Sequence, residues 1–219
     1  MTQQRVIVAD DHPLFREALS LALRQALGDV IIDQAGDMDE LQRALSTQET
    51  ADLVLLDLHM PGVQGFSALV YLRAHHPELP VCLISANNNA AVIQRALDHG
   101  AAAFIPKSAS VDEISQVLET VLAGEIWQPH ESVTGSAGDV LDVAQRLGDL
   151  TPQQFRVLMM LADGLLNKQI AFELDISEAT VKAHMTAIFR KLDVSNRTQA
   201  VLLLNQLAVD SIEKVADAL

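Results

Sequence analysis

The sequence predicts an α/β domain built on a parallel sheet, followed by a small all-α domain, and three observations carry that prediction. In residues 1–125 short apolar runs alternate five times with amphipathic stretches, the pattern of strands wrapped by helices. From Thr151 onward the apolar spacing is purely helical and strand patterns disappear. Between the two, residues 126–148 lose periodicity and are punctuated by Pro129, Gly135, Ser136 and Gly138, which marks a linker. The chain has 219 residues, 49% of them apolar, enough for two modest cores. Ten glycines and seven prolines exclude a collagen-like or low-complexity chain. The single Cys82 excludes a disulfide framework and a cysteine-based zinc site, and points to a reducing compartment. The polar start Met1-Thr2-Gln3-Gln4 has no signal-peptide core, and no apolar run approaches the ~20 residues of a membrane span. A cytoplasmic protein with no membrane partner is expected.

The elements follow in order. Strands are expected at Arg5–Asp10, Val30–Gln34, Leu53–Asp57, Val81–Ser85 and Ala103–Ile105. Helices are expected near Pro13–Ala26, Met38–Thr47, Gly65–Ala74, Ala90–His99 and Val111–Ala123. Two of these helices have capping-box starts, Asp37-x-x-Glu40 and Ser110-x-x-Glu113. Within the linker, Val140, Val143, Ala144 and Leu147 fall at helical spacing, so Asp139–Leu147 can form a short helix. Thr151-Pro152-x-Gln154 then combines an N-cap, a proline at the first helical position and a capping-box glutamine. Phe155, Leu158, Met159 and Ala162 give that helix one apolar face, which Gly164 ends. Asn167–Leu174 is the next helix, and Ser177 caps a longer one that runs through Leu192. The last helix, Arg197–Leu207, has a core face of Ala200, Val201, Leu204 and Leu207 from which Leu202 points away; residues 208–219 are a tail.

The acids of the first domain are placed by this pattern. Asp10 and Asp11 end the first strand and Asp57 ends the third, at the carboxyl edge where open parallel sheets carry their sites. In the flavodoxin-like strand order 2-1-3-4-5 those two strands are neighbours, so three carboxylates converge and a hard cation such as Mg²⁺ would relieve their repulsion. Asp57 would then be a nucleophile beside a metal. The alternative for each acid taken singly is a solvated strand end. Ser85 at the end of the fourth strand and Lys107 after the fifth supply a hydroxyl and an ammonium suited to the oxygens of a phosphoryl group on Asp57. Taken singly, these two would read as a turn residue and a surface cation.

Asp10-Asp11-His12-Pro13, Leu55-Leu56-Asp57-Leu58-His59-Met60-Pro61-Gly62, Ser85-Ala86 and Phe104-Ile105-Pro106-Lys107 make residues 1–125 similar to a response-regulator receiver domain. The resemblance implies Asp57 as phosphoacceptor, Asp10 and Asp11 as Mg²⁺-binding acids, and the backbone carbonyl of His59 as a further metal ligand. It also implies Ser85 and Lys107 as sensors of the phosphoryl group, with Ser85 and Phe104 in the switch positions. His59 and Asn87 match positions that tune phosphoryl lifetime in that family. As residues alone they read equally as solvent-facing, and Phe104 as core.

The second domain carries a different signal. The formal net charge of −14 argues against coating nucleic acid non-specifically. Yet residues 1–125 hold 7 Lys+Arg against 17 Asp+Glu, whereas residues 126–219 hold 8 against 12, and Thr180–Leu192 contains Lys182, Arg190 and Lys191 with no acid. In that helix Val181, Met185, Ile188 and Leu192 share a stripe, while Lys182, Ala183, Thr186 and Arg190 face the other way. Two helices, a tight turn and an acid-free polar face describe a helix-turn-helix, and equally a helical bundle with a solvated basic face.

Leu150-Thr151-Pro152, Gly164 through Ala171, Ile176 through His184, Ile188 through Val194 and Arg197-Thr198-Gln199-Ala200 resemble the LuxR-type helix-turn-helix, here spanning 149–207. With the receiver, the chain is similar to response regulators of the NarL/FixJ class. The resemblance implies DNA contacts by Thr180, Lys182, Ala183, Thr186, Arg190 and Lys191, and a dimer surface on the last helix that includes Leu202. Two departures stand out: Gln153-Gln154-Phe155 replaces an Arg-Glu pair after Thr-Pro, and Thr186 sits where some members carry a base-reading Lys. The implied function is a transcriptional regulator phosphorylated on Asp57 by a partner histidine kinase with Mg²⁺, binding promoter DNA as a homodimer, and not an enzyme beyond its own phosphotransfer. Two rivals remain: a DNA binder with a phosphorylation-independent receiver, and an aspartate-nucleophile phosphohydrolase. The latter usually needs a second acid two residues after the nucleophile, where this chain has His59.

Overall fold

The computed structural model describes residues 3–47, 50–127, 143, 145–205 and 207. Five parallel strands, β1 (Gln4–Ala9), β2 (Val30–Ala35), β3 (Leu53–Asp57), β4 (Val81–Ser85) and β5 (Ala103–Pro106), form one sheet in the order β2-β1-β3-β4-β5. Between and after them run α1 (Pro13–Leu27), α2 (Met38–Leu45), α3 (Ser67–His75), α4 (Ala90–Asp98) and α5 (Val111–Leu122). The central strands are continuous apolar runs because both of their faces are covered. Val6, Val8, Leu53, Leu55, Cys82 and Ile84 pack under Leu19 and Leu23 of α1 and Val117, Leu118 and Val121 of α5. Ile7, Ala9, Val54, Leu56 and Leu83 face the opposite layer, with Leu41, Leu69, Leu72, Val92 and Ala96 of α2, α3 and α4. Cys82 belongs to the first layer, and burial pushes its thiol up to about 12.

Several boundaries differ from expectation for local reasons. β1 stops at Ala9, because the side chain of Asp10 turns back to accept the backbone N–H of His12 at 2.8 Å and opens the turn into α1. The helix expected from Gly65 begins at Ser67, since Gly65 has φ +53. Asp37 caps α2 through the Glu40 N–H, but the Glu40 carboxylate takes the Gly36 N–H in place of completing a capping box. The boxes at Ser110 and Thr151 form as expected. In the loop after β3, Gly62 has φ +77, and a Cβ there would come within 2.9 Å of Met38 Cβ. Glycine is what lets this loop, which follows directly on Asp57, pass so close to α2.

The second domain contains α6 (Pro152–Ala162), α7 (Asn167–Glu173), α8 (Glu178–Leu192) and α9 (Arg197–Asn205). Of the short helix expected at Asp139–Leu147, Val143 and residues 145–147 are helical, and the remainder lies outside the described residues, as do most of the linker and the tail. Phe155, Leu158, Ile170, Val181, Ile188, Leu192, Ala200 and Leu204 form the core of this domain. Its outer side continues into the first domain. The Phe155 ring lies 4.6 Å from that of Tyr71 on α3, Arg156 pairs with Asp39 on α2, and the Phe66 N–H donates to the Leu207 carbonyl at 3.1 Å. Helix α6 therefore docks on the α2/α3 side of the sheet, beside the loop that follows Asp57.

Candidate functional site

The carboxyl edge of the sheet assembles what the sequence scatters. Asp10 and Asp57 are almost fully buried, and the Lys107 ammonium lies between them, 2.6 Å from Asp10 Oδ2 and 2.9 Å from Asp57 Oδ2. Asp11 is exposed. Its Oδ1 lies 2.6 Å from His12 Nδ1, and ligand atoms of Asp10, Asp11, His12 and Asp57 all fall within 4.8 Å of one another.

Burial raises the Asp57 carboxyl above its ordinary range. The hydrogen bond and charge of Lys107 pull it down, the neighbouring Asp10 charge raises it again, and the His59 backbone N–H lowers it slightly. For Lys107 burial works downward, but the hydrogen bonds and charges of Asp10 and Asp57 more than offset it and hold the ammonium above its usual value. The site is thus an acid pair with half the countercharge it needs. Oxygen ligands at close range with excess negative charge suit a hard divalent cation such as Mg²⁺.

Ser85 is fully buried at the end of β4, and its Oγ accepts the Asn87 N–H at 3.2 Å. Asn87 Oδ1 in turn accepts the Asn89 N–H at 3.0 Å, and Asn89 caps α4 through the Ala91 N–H at 2.9 Å. A hydroxyl at the end of the strand next to that of Asp57 is therefore linked stepwise to the start of α4. Phe104 is fully buried in the layer that contains Val92 and Ala96 of that helix. The structure thus brings Asp10, Asp11, Asp57, Ser85 and Lys107 to one edge and sets Phe104 beneath it. The His59 residue is exposed.

Sequence reasoning missed three supporting residues, the N-cap His12 and two on the first turn of α1. The Phe15 ring centroid is 4.8 Å from Lys107 Nζ, a cation–π contact that fixes the ammonium. Arg16 donates to the Asp10 carbonyl at 2.5 Å and so holds the acid turn in place. His12 sits against Asp11 as described. Their position directly after the acid pair, at a helix start that opens onto the site, is the signal that was available.

In the second domain Ser177 caps α8 through the Thr180 N–H at 3.1 Å, and Asp175 takes a left-handed conformation, φ 51, that tightens the turn after α7. Val181, Ile188 and Leu192 are buried, whereas Thr180, Lys182, Ala183, Thr186 and Arg190 are all exposed on one side. Thr186 Oγ1 donates to the Lys182 carbonyl at 3.0 Å. Lys191 differs from the rest: its ammonium donates to the Asp149 carbonyl at 2.8 Å and to Gln154 Oε1 at 2.7 Å. Gln154 thereby joins the start of α6 to the end of α8. Leu202 is exposed on α9.

Residues 6–119 match the response regulator receiver domain, and residues 149–204 match the bacterial regulatory proteins of the luxR family. A glycerol metabolism activator of Pseudomonas putida is 37% identical over 209 residues, covering 90% of this chain and 93% of the relative. A probable transcriptional regulatory protein NarL of Mycobacterium tuberculosis is 35% identical over 199 residues, covering 90% and 91%. Among solved structures, RcsB of Salmonella typhimurium and an RcsB–DNA complex each align at TM-score 0.55 with 25% identity, over 94% of this chain and 99% or 100% of theirs.

The raised Asp57 carboxyl yields a stability prediction. A carboxyl raised in the native state favours folding below its unfolded value of 3.8, and that contribution is lost as pH rises through the native value. Asp57→Asn, which mimics the neutral acid, should therefore melt higher than wild type at neutral pH without Mg²⁺, and the gap should close as pH falls into the acid range. Added Mg²⁺ should raise the wild type more than the variant. Thermal denaturation with and without Mg²⁺ checks both signs.

Proposed function

Because the chain belongs to the response regulators, a receiver joined to a LuxR-family helix-turn-helix, we propose that it is a transcriptional regulator controlled by phosphorylation of Asp57. In this reading residues 1–125 are the receiver, 126–148 the linker, 149–207 the DNA-binding domain and 208–219 a tail, and the protein works in the cytoplasm where its promoters are. One observation carries the reading: a buried acid pair with Lys107 and Ser85 around it lies in the same chain as a helix whose polar face is open to solvent.

Asp57 Oδ attacks the phosphorus of a partner kinase's phosphohistidine. The O–P bond forms, the N–P bond breaks, and the histidine nitrogen keeps the electron pair. Asp10, Asp11, Asp57 and the His59 carbonyl would hold Mg²⁺, which when bound supplies charge neutralisation for the transferring group. Lys107 follows the negative charge onto the phosphoryl oxygens, and Ser85 Oγ donates to another of them. Drawing Ser85 toward the phosphoryl group pulls on the Asn87–Asn89 chain at the start of α4, with buried Phe104 repacking beneath it.

The polar face of α8 enters the major groove, with Lys182, Ala183 and Thr186 toward base edges and Thr180 and Arg190 toward phosphates. Lys191 reaches a phosphate only by leaving Asp149 and Gln154, so Arg190 is the primary contact at that end. The exposed Leu202 serves the dimer on paired half-sites about one helical turn apart. The chain needs no catalytic role beyond its own phosphotransfer. The RcsB–DNA complex, similar in fold over nearly the whole chain, supports the DNA assignment.

Intact mass spectrometry tests the phosphoacceptor. Wild type incubated with a small phosphodonor should gain one phosphate mass only when Mg²⁺ is present, and Asp57→Asn should gain none; equal labelling of the variant contradicts the assignment. For DNA, Lys182→Ala should cost about 1–3 kcal/mol at one preferred base pair and relax specificity there. Site selection from random DNA by wild type, Lys182→Ala and Thr186→Ala checks this, and identical selected sequences from all three would rule out base reading by this face.

A further inference from the structure

Short side chains at strand ends place the carboxylates of the site, whereas Lys107 must reach its partners along a flexible four-carbon stem. Its backbone is anchored: the Lys107 N–H donates to the Ser85 carbonyl at 2.8 Å. Its ammonium ends 2.6 Å from Asp10 Oδ2 and 2.9 Å from Asp57 Oδ2, and stands over the Phe15 ring at 4.8 Å from the centroid. The ring is held in turn. Phe15 lies on the first turn of α1, its N–H donates to the His12 carbonyl at 3.1 Å, and its side chain packs against the buried layer between the sheet and helices α1 and α5. A partly buried aromatic face with a cation above it is an attractive contact, and the more so where water is scarce; only 19% of the Lys107 side chain is exposed.

The two acids and the ring differ in what else they can bind. A hard divalent cation draws on oxygen ligands, and here these belong to the carboxylates that hold the ammonium. Transfer also takes an oxygen of Asp57 into a bond with phosphorus. The ring is altered by neither event. We propose that Phe15 is a positioning residue for phosphoryl transfer to Asp57: its ring keeps the Lys107 ammonium beside Asp57 when a divalent cation takes up Asp10, so that the ammonium is in place for the oxygens of the incoming group. Phe15 touches no reacting atom and acts through Lys107 alone. With the attraction of the ring removed, an ammonium displaced from the acids regains its hydration and rotamer freedom, and bringing it onto the phosphoryl oxygens costs that ordering again. The inference rests on the reading of Asp57 as phosphoacceptor. It differs from a packing role in that the charge distribution of the ring matters, not only its size.

Phosphorylation of the full chain by acetyl phosphate with Mg²⁺, followed over time by intact mass spectrometry, tests it. In this reaction Asp57 Oδ attacks phosphorus, the new O–P bond forms, and the bond from phosphorus to the acetate oxygen breaks with the electron pair leaving on acetate. Position 15 is varied in steps with mono-, di- and trifluorinated phenylalanine, which keep the ring shape while drawing negative charge from its face, and with Phe15→Leu, which removes the ring. The rate should fall with each fluorine, reaching about a tenfold loss with three and a similar loss in Phe15→Leu. Mg²⁺ affinity, measured by isothermal titration of the unphosphorylated chains, should stay unchanged across the fluorinated series, because the ring contact is present before and after the cation enters. A uniform rate across the fluorinated series overturns the positioning role, even where Phe15→Leu is slow, since the ring then acts by packing alone. Mg²⁺ binding that tightens with each fluorine also overturns it, because the ring contact is then given up when the cation enters. A wild type that gains no phosphate mass overturns the reading of Asp57 as phosphoacceptor, and the role of Phe15 with it.

Discussion

Asp10 and Asp57 lie side by side, almost without solvent, with one ammonium between them, and the architecture around them follows from that constraint. Two buried carboxylates and one lysine do not neutralise each other, so the edge of the sheet carries an electrostatic cost that a neutral edge would not. The rest of the domain holds the arrangement in place. Parallel β1 and β3 fix the two acids as neighbours, β4 brings Ser85 alongside, and β5 delivers Lys107. Helix α1 contributes Phe15 against the ammonium and Arg16 against the Asp10 carbonyl. The excess negative charge is what makes the site receptive to a divalent cation.

The same edge is where the two domains meet. The loop that follows Asp57 passes Met38 at Gly62, and its end donates the Phe66 N–H to Leu207 at the end of the DNA-binding domain. The contact made by α6 is part apolar, through Phe155 and Tyr71, and part ionic, through Arg156 and Asp39. Because α6 docks, the polar face of α8 stays exposed. Lys182 and Thr186 are thus exposed while the two domains are in contact.

Much of this was legible in the sequence, and the parts that were not share a reason. The five strands were readable because each carries a short apolar run, and the site acids because each follows one. Ser110 and Thr151 announced their helices by capping boxes, whereas Asp37-x-x-Glu40 suggested a box whose glutamate is drawn to Gly36. The supporting residues Phe15 and Arg16 were marked only by their place just after the acid pair, since an aromatic and an arginine on a helix do not say what stands across a loop from them. Lys191 shows the same limit. Its place in an acid-free stretch suggested a phosphate contact, but its carbonyl and amide partners lie 42 and 37 positions back along the chain. Pattern reveals which face a side chain is on; what it meets there depends on tertiary placement.

The claim that Lys107 and a divalent cation share the same two carboxylates is open to direct measurement. Isothermal titration of Mg²⁺ into wild type and Lys107→Met, which keeps the apolar stem and removes the charge, compares the site with and without its ammonium. With Asp10 and Asp57 freed from that countercharge, Mg²⁺ should bind about tenfold more tightly to the variant. Equal or weaker binding by Lys107→Met would contradict the account, since it would mean that the ammonium and the cation do not compete for the acid pair.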